Sequence, residues 1–337
     1  MKRTNETLNA VKGIACMLVV FIHVQFPGMF GNVIVALSRS AVAIFFVVSG
    51  YYLYNSDFDK ISAKLPVKIK NIAKLTAFAF LLYFVWESFV RFIGSGTEAV
   101  LQWYTDRVFT FESLIKVVLT SYDPVVGHLW FLLALLGAYI LFIPITKFKL
   151  KKLTYILSAV LLEAHIVIMA ISGIFKLNIN MTVFRSVFFY GLPFVMLGFF
   201  LKEYEKWFQE KLSTALLTTV AVAGAVLVVA ELLLFGNMQV FNGTIILVAS
   251  VFLLAVRHPE FKGPKALMKL GGMYSTDVYI YHWLVMELVI KACEILNISF
   301  TWFDWIEPVI VLAITIVGVI MLSLVKKILS SLKVVRA

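Results

Sequence analysis

Two groups of residues in this 337-residue chain have the types and spacing to do chemistry. The first is Lys12 with His23. Eleven residues at 100° each make three turns plus about 20°, so on a helix both face the same way, about 16 Å apart along the axis. An ammonium at one end and an imidazole further along would line a path from the inner membrane surface toward the outer half. The structural alternative is a snorkelling Lys12 and a His23 hydrogen-bonded to a neighbouring helix. The second group is Tyr274-Ser275-Thr276-Asp277-Val278-Tyr279-Ile280-Tyr281-His282-Trp283, which sets five hydroxyls, a carboxylate and an imidazole at one end of an apolar run. Ser275 and His282 are seven apart and share a face, but no nucleophile elbow surrounds Ser275. A polar pocket or a helix-helix hydrogen-bond cluster is expected there instead of a serine hydrolase.

Other ionisable side chains fall inside apolar runs: Arg39, Lys74, Glu87, Arg91, Glu163, His165, Arg185, Glu231, Asp277 and Glu287. Each costs about 3 kcal/mol at membrane depth unless it is paired or faces water, so each is a functional candidate by default. His128-Leu129-Trp130-Phe131 opens a run at its outer end, where a Trp is commonly an interfacial anchor. His23, His128, His165 and His282 are not at metal-ligand spacing, and no metal is expected. Cys16 and Cys293 lie in apolar runs distant in sequence and read as packing thiols.

The elements that must position these residues are transmembrane helices. Hydrophobic residues make up 61% and charged residues 15% of the chain, against about 25% charged in a soluble domain, and the mean hydropathy is +0.95. Apolar runs fall at roughly 10–26, 36–54, 69–93, 127–146, 153–174, 182–201, 212–235, 240–256, 273–296 and 305–328. Runs of this length satisfy their backbone hydrogen bonds in lipid as helices, whereas a barrel needs alternating segments of about ten residues. An all-α polytopic bundle of about ten spans is expected, as a single domain over residues 1–337. The formal charge of +11 is spread over short gaps between runs, not clustered on a soluble face, so no nucleic-acid partner is expected.

Orientation follows from the Lys and Arg distribution. In a ten-span model, 23 of the 30 basic residues fall on one side, in the groups 2–12, 60–74, 147–152, 202–211, 257–269 and 326–336. Arg39, Arg91, Arg107, Lys116, Lys176, Arg185 and Lys291 fall on the other. Both termini are therefore expected in the cytoplasm. Lys2 and Arg3 precede an apolar stretch as in a signal peptide, but the nearby small-x-small triplet, Ala41-Val42-Ala43, lies inside the second run, so the first helix reads as uncleaved. The longest outer connection, about Gly94 to Gly127, carries Phe111, Leu114, Ile115, Val118 and Leu119 at the spacing of a helix lying in the interface.

Several of these strings together resemble the acyltransferase 3 family of integral membrane acyltransferases. Asn9-Ala10-Val11-Lys12-Gly13-Ile14-Ala15-Cys16 and Val20-Phe21-Ile22-His23 are similar to the family's opening, with Lys12 where most members have Arg. That exchange keeps the charge and loses the bidentate fork, which implies an electrostatic role. Arg39 with Phe45-Phe46-Val47-Val48-Ser49-Gly50-Tyr51-Tyr52-Leu53 resembles the second span. The stretch ending at Lys74 is similar to the family's arginine-rich entry to the third span, with Lys and Asn71 in place of Arg. His128-Leu129-Trp130-Phe131-Leu132 resembles the His-Leu-Trp motif, and Gly272-Met273-Tyr274-Ser275 with Tyr279 and His282 resembles the late pattern. The branch most similar includes the membrane domain of vancomycin-resistance serine racemases and stand-alone surface-glycan acetyltransferases.

The resemblance implies transfer of an acetyl group from acetyl-CoA to a hydroxyl of a glycan or lipid-linked sugar, in a bacterial plasma membrane. Neutral imidazole, with a reference pKa near 6.5, suits the base such an attack needs. His23 is expected to be that base, or else a transient acyl carrier, with Arg39 orienting the donor or stabilising the oxyanion. Lys12, Lys68, Lys70 and Lys74 are expected to hold the phosphates of coenzyme A. His128, Trp130, Ser275, Tyr279 and His282 are expected to line the acceptor side. The rival readings are an amino-acid or small-solute transporter, through the same buried charges, and a sensor or structural partner in a cell-wall complex.

Overall fold

The computed structural model describes residues 5–335 apart from Met181 and Ser299, and for 332–335 the backbone alone. Lys2, Arg3 and Arg336, and the side chain of Lys333, lie outside the described residues, so the terminal ends of the charge pattern are not placed.

Every regular element among the described residues is helical. The helices are α1 (Glu6–His23), α2 (Gly28–Leu53), α3 (Phe58–Trp103), α4 (Phe111–Thr120), α5 (Trp130–Lys147), α6 (Lys151–Phe175), α7 (Leu192–Glu203), α8 (Glu205–Lys211), α9 (Thr214–Phe235), α10 (Asn242–Arg257), α11 (Lys265–Lys269), α12 (Ser275–Ile295) and α13 (Phe303–Val335). π-helical turns at Tyr104–Val108, Val187–Gly191 and Leu270–Tyr274 follow α3 and precede α7 and α12.

Each of the ten apolar runs falls on a helix, but the helices are not alike. Among the described residues seven, α1, α2, α3, α5, α6, α9 and α13, are long and apolar enough to cross a membrane. Residues 187–203 and α8, bent by 66° at their junction, make an eighth candidate. The other two runs differ in kind. α10 has 16 residues, about 24 Å of rise against a hydrocarbon core of about 30 Å. α12 is 21 residues long but carries Asp277, Glu287, Lys291 and Glu294. The protein is a multi-spanning membrane helical bundle.

α3 runs well beyond its apolar stretch. Its 46 residues begin at the N-cap Asp57, whose side chain accepts from the Asp59 amide, so the whole Lys60–Lys74 stretch is helical. Gly96, at φ 80°, supplies the kink that a residue with a Cβ would resist. One stripe, Ile61, Leu65, Thr76, Ala79, Tyr83 and Glu87, is buried and packs on α5. Phe78, Leu81, Val85, Phe89 and Phe92 stand exposed on α3, as a face covered by lipid tails does. α4 forms where the interface helix is expected: Thr110 accepts from the Ser113 amide at 2.9 Å, and Phe111, Leu114, Ile115, Val118 and Leu119 are all exposed.

The chain groups into two compact units: residues 1–42, 213–232 and 242–337, and residues 43–212 and 233–241. In the first, α1 lies against the turn before α12 with no side chain between the backbones. A Cβ on Gly13 would overlap the Leu267 carbonyl oxygen, and one on Gly271 the Asn9 carbonyl oxygen. In the second, Gly50 of α2 and Gly198 of α7 play the same part, since Cβ atoms there would overlap the Val195 and Val47 carbonyl oxygens.

Several charges taken as functional by default are structural. Glu231 accepts from the Asn242 amide (3.2 Å), the Asn242 side chain (3.0 Å) and the Gly243 amide (3.0 Å), capping α10. Glu87 pairs with Arg91 one turn on, whose guanidinium lies over the Trp103 ring at 4.4 Å. His165 is buried, with its ring stacked on Phe184 and Nδ1 at 3.2 Å from the Phe189 carbonyl.

Candidate active site

The first unit brings three of the expected residues together. His23 ends α1, and its ring centroid lies 5.2 Å from that of His282 and 5.2 Å from that of Trp283, both on α12. Tyr279 stands one turn before His282, ring centroids 6.2 Å apart. His282 is fully buried, and its Nδ1 lies 2.7 Å from the Tyr279 carbonyl and 3.1 Å from the Val278 carbonyl. A nitrogen facing carbonyl oxygens carries the hydrogen, so Nε2 holds the lone pair. Trp283 is oriented in turn by its Nε1–H, which donates to Glu287 at 2.7 Å.

The backbone explains why these rings meet. α1 touches the Leu270–Tyr274 turn at Gly13 and Gly271, and eleven residues after Gly271 comes His282, ten after Gly13 comes His23. The two segments therefore run side by side in the same direction, with glycine contact at one end and the histidines at the other. Lys12, half-buried, sits at the glycine end. The Ser275 hydroxyl donates to the Gly271 carbonyl at 3.1 Å. Arg39 is half-buried on α2 between the buried Ser38 and Ser40.

The second unit holds the other expected residues. His128 is buried, edge-on to the Tyr83 ring at 4.9 Å. It belongs to a turn built on Asp123, whose carboxylate accepts from the amides of Val125 (2.9 Å), Val126 (3.3 Å), Gly127 (2.7 Å) and Leu129 (2.9 Å). Burial pushes the Asp123 carboxyl above its ordinary range against the pull of these four donors. Trp130 opens α5 with its ring 5.3 Å from Tyr190 and 6.4 Å from Phe46. Sequence reasoning missed Asp123, although Asp followed four residues later by Gly before a helix is a turn signal.

The lysines expected to act together separate. Lys68 is half-buried on the face of α3 that packs on α5, 5.3 Å from the centre of the Tyr139 ring, and Tyr139 is within hydrogen-bonding reach of Ser49. Lys70 is 200° further round the helix, and Lys70 and Lys74 are exposed. Lys64, one turn before Lys68, is exposed as well. Among the described residues no group of three or more His, Cys, Asp or Glu side chains could hold a metal ion.

A family model described as an acyltransferase domain matches residues 5–324, nearly the whole chain. The chain belongs to the acyltransferase 3 family. No curated protein and no solved structure matches it. With this membership the motif strings acquire physical reasons. The glycine after Lys12 and the glycines before Tyr274 set the α1–α12 approach, and the glycine after Ser49 sets the α2–α7 approach. In this family member the first and late motifs converge on one histidine pair, while the His-Leu-Trp motif is the mouth of a carboxylate-organised turn.

Proposed function

We propose that this membrane acyltransferase moves an acetyl group from acetyl-CoA to a hydroxyl of a surface glycan or lipid-linked sugar, with both termini cytoplasmic. The His23–His282 contact is the observation that carries this reading. His23 takes the proton of the acceptor hydroxyl as that oxygen adds to the thioester carbonyl. It then returns the proton to the departing sulfur, so an ester forms, the thioester breaks and free coenzyme A leaves. His282, held by Nδ1 at the Tyr279 carbonyl, packs its buried ring against the base and fixes its position. Trp283 packs edge-on against the base. Arg39 supplies fixed positive charge for the oxyanion. Lys12, Lys68, Lys70 and Lys74 hold donor phosphates, and the seven basic residues left for the outer side support the cytoplasmic placement of that mouth.

The test compares surface glycans from wild-type and deletion cells by mass spectrometry. One acetyl group per acceptor unit, present only in the wild type, is expected. Identical glycans, together with serine uptake into proteoliposomes that contain no acyl acceptor, would instead support a transporter.

A further inference from the structure

We propose that the outward face of α6 around Glu163 is the surface through which two copies of this chain pair in the membrane, carboxyl against carboxyl. Glu163 is the thirteenth of the 25 residues of α6, so about 18 Å of helix separates it from either end. Its side chain is far too short to reach water from there. Glu163 is exposed, and no hydrogen bond or ion pair joins it to another of the described residues. It stands opposite the packed side of the helix: Thr154, nine residues before, and Ser172, nine residues after, are both buried, and nine residues make two and a half turns. Lys152, the cation along the same line, is eleven residues and about 16 Å away.

Glu87 and Glu231, the carboxylates this fold uses for itself, are answered within the chain by Arg91 and by the first amides of α10. Glu163 is answered by lipid tails alone, which neither donate nor accept, and a carboxyl left in hydrocarbon is costly. A carboxyl that keeps its proton both donates and accepts, so two of them complete each other through a pair of O–H···O bonds. The membrane supplies the register. It holds every copy in the same orientation, so a two-fold axis along the membrane normal brings a residue to its own counterpart at the same depth. A protein of another sequence would need its own hydrogen-bonding group at that depth, whereas a second copy carries one by construction. The face also fits close approach. Ile156, Ala159, Val167, Ala170 and Ile174 lie within about 40° of Glu163 round the helix. Ile156, Val167 and Ile174 are exposed apolar side chains, and the alanines on either side of the carboxyl let two backbones come near enough for it to reach its counterpart.

Single-molecule photobleaching of the full-length protein, carrying one fluorophore per chain in phosphatidylcholine vesicles at falling protein-to-lipid ratio, tests this. The wild type should bleach in two steps. Glu163→Gln, whose amide both donates and accepts, should keep the pairing, and Glu163→Leu should weaken it about tenfold. Oxidative crosslinking locates the contact: over the background of the native cysteines, Val167→Cys, one turn from Glu163, should join two copies, and Phe89→Cys on the exposed face of α3 should not. A wild type that is monomeric at every ratio overturns the proposal. So does Glu163→Leu pairing as tightly as the wild type, or Glu163→Gln dissociating as far as Glu163→Leu. Crosslinking through Phe89→Cys in place of Val167→Cys would put the interface on another helix and overturn it as well. None of these outcomes depends on acyl transfer.

Discussion

The imidazole rings of His23 and His282 lie 5.2 Å apart, although most of the chain separates them in sequence. They meet on helices that approach closely at the other end, where α1 touches the Leu270–Tyr274 turn and Gly13 and Gly271 leave no room for a side chain.

Gly271→Ala should push the two segments apart, because its Cβ would overlap the Asn9 carbonyl oxygen. A displacement near 1 Å at the histidines should lower acetyl transfer about a hundredfold, with about 1–3 kcal/mol lost from stability. Gly318→Ala on α13, where a Cβ meets nothing within 4 Å, should leave both unchanged or slightly raise the melting temperature. Parallel assays of transfer and thermal melting decide between them.

Asp123→Ala removes the acceptor of four amides in the turn that carries His128. A stability loss of about 2–4 kcal/mol is expected, with Asp123→Asn in between because its single carbonyl serves only part of the set. Equal melting temperatures for wild type and Asp123→Ala would show that the turn does not depend on this carboxylate.

Lys68→Ala should raise the KM for acetyl-CoA about tenfold, since that ammonium is half-buried against Tyr139. Lys70→Ala and Lys74→Ala, each removing an exposed and screened charge, should raise it no more than about twofold. Initial-rate kinetics with coenzyme A release as readout separates the three, and equal effects would contradict the division of α3 into two faces.

Glu231→Ala should destabilise by about 2 kcal/mol through loss of the α10 cap, with KM for acetyl-CoA unchanged. A selective rise in KM would mean that this carboxylate serves the substrate as well as the helix.

The sequence was informative where a residue type has one physical use. The ten apolar runs became helices, and the Lys12, His23 and His282 strings pointed to residues that share one unit. It was misleading where the partner is backbone. The buried carboxylates at Asp123 and Glu231 are satisfied by amide groups, which no side-chain pattern reveals. Lys68 and Lys70 are neighbours in sequence and opposite on the helix, and that could be read only once Lys60–Lys74 was known to be helical. The extension of α3 over that stretch carries no apolar signal, because its lysines favour helix without marking a buried face.

The most direct test of the mechanism is acetyl transfer by His23→Ala in membranes carrying equal amounts of each protein, read as coenzyme A released and acetyl groups on the recovered surface glycan. The account predicts that transfer falls at least about a hundredfold while the variant keeps the wild-type melting temperature. Transfer at the wild-type rate would contradict it.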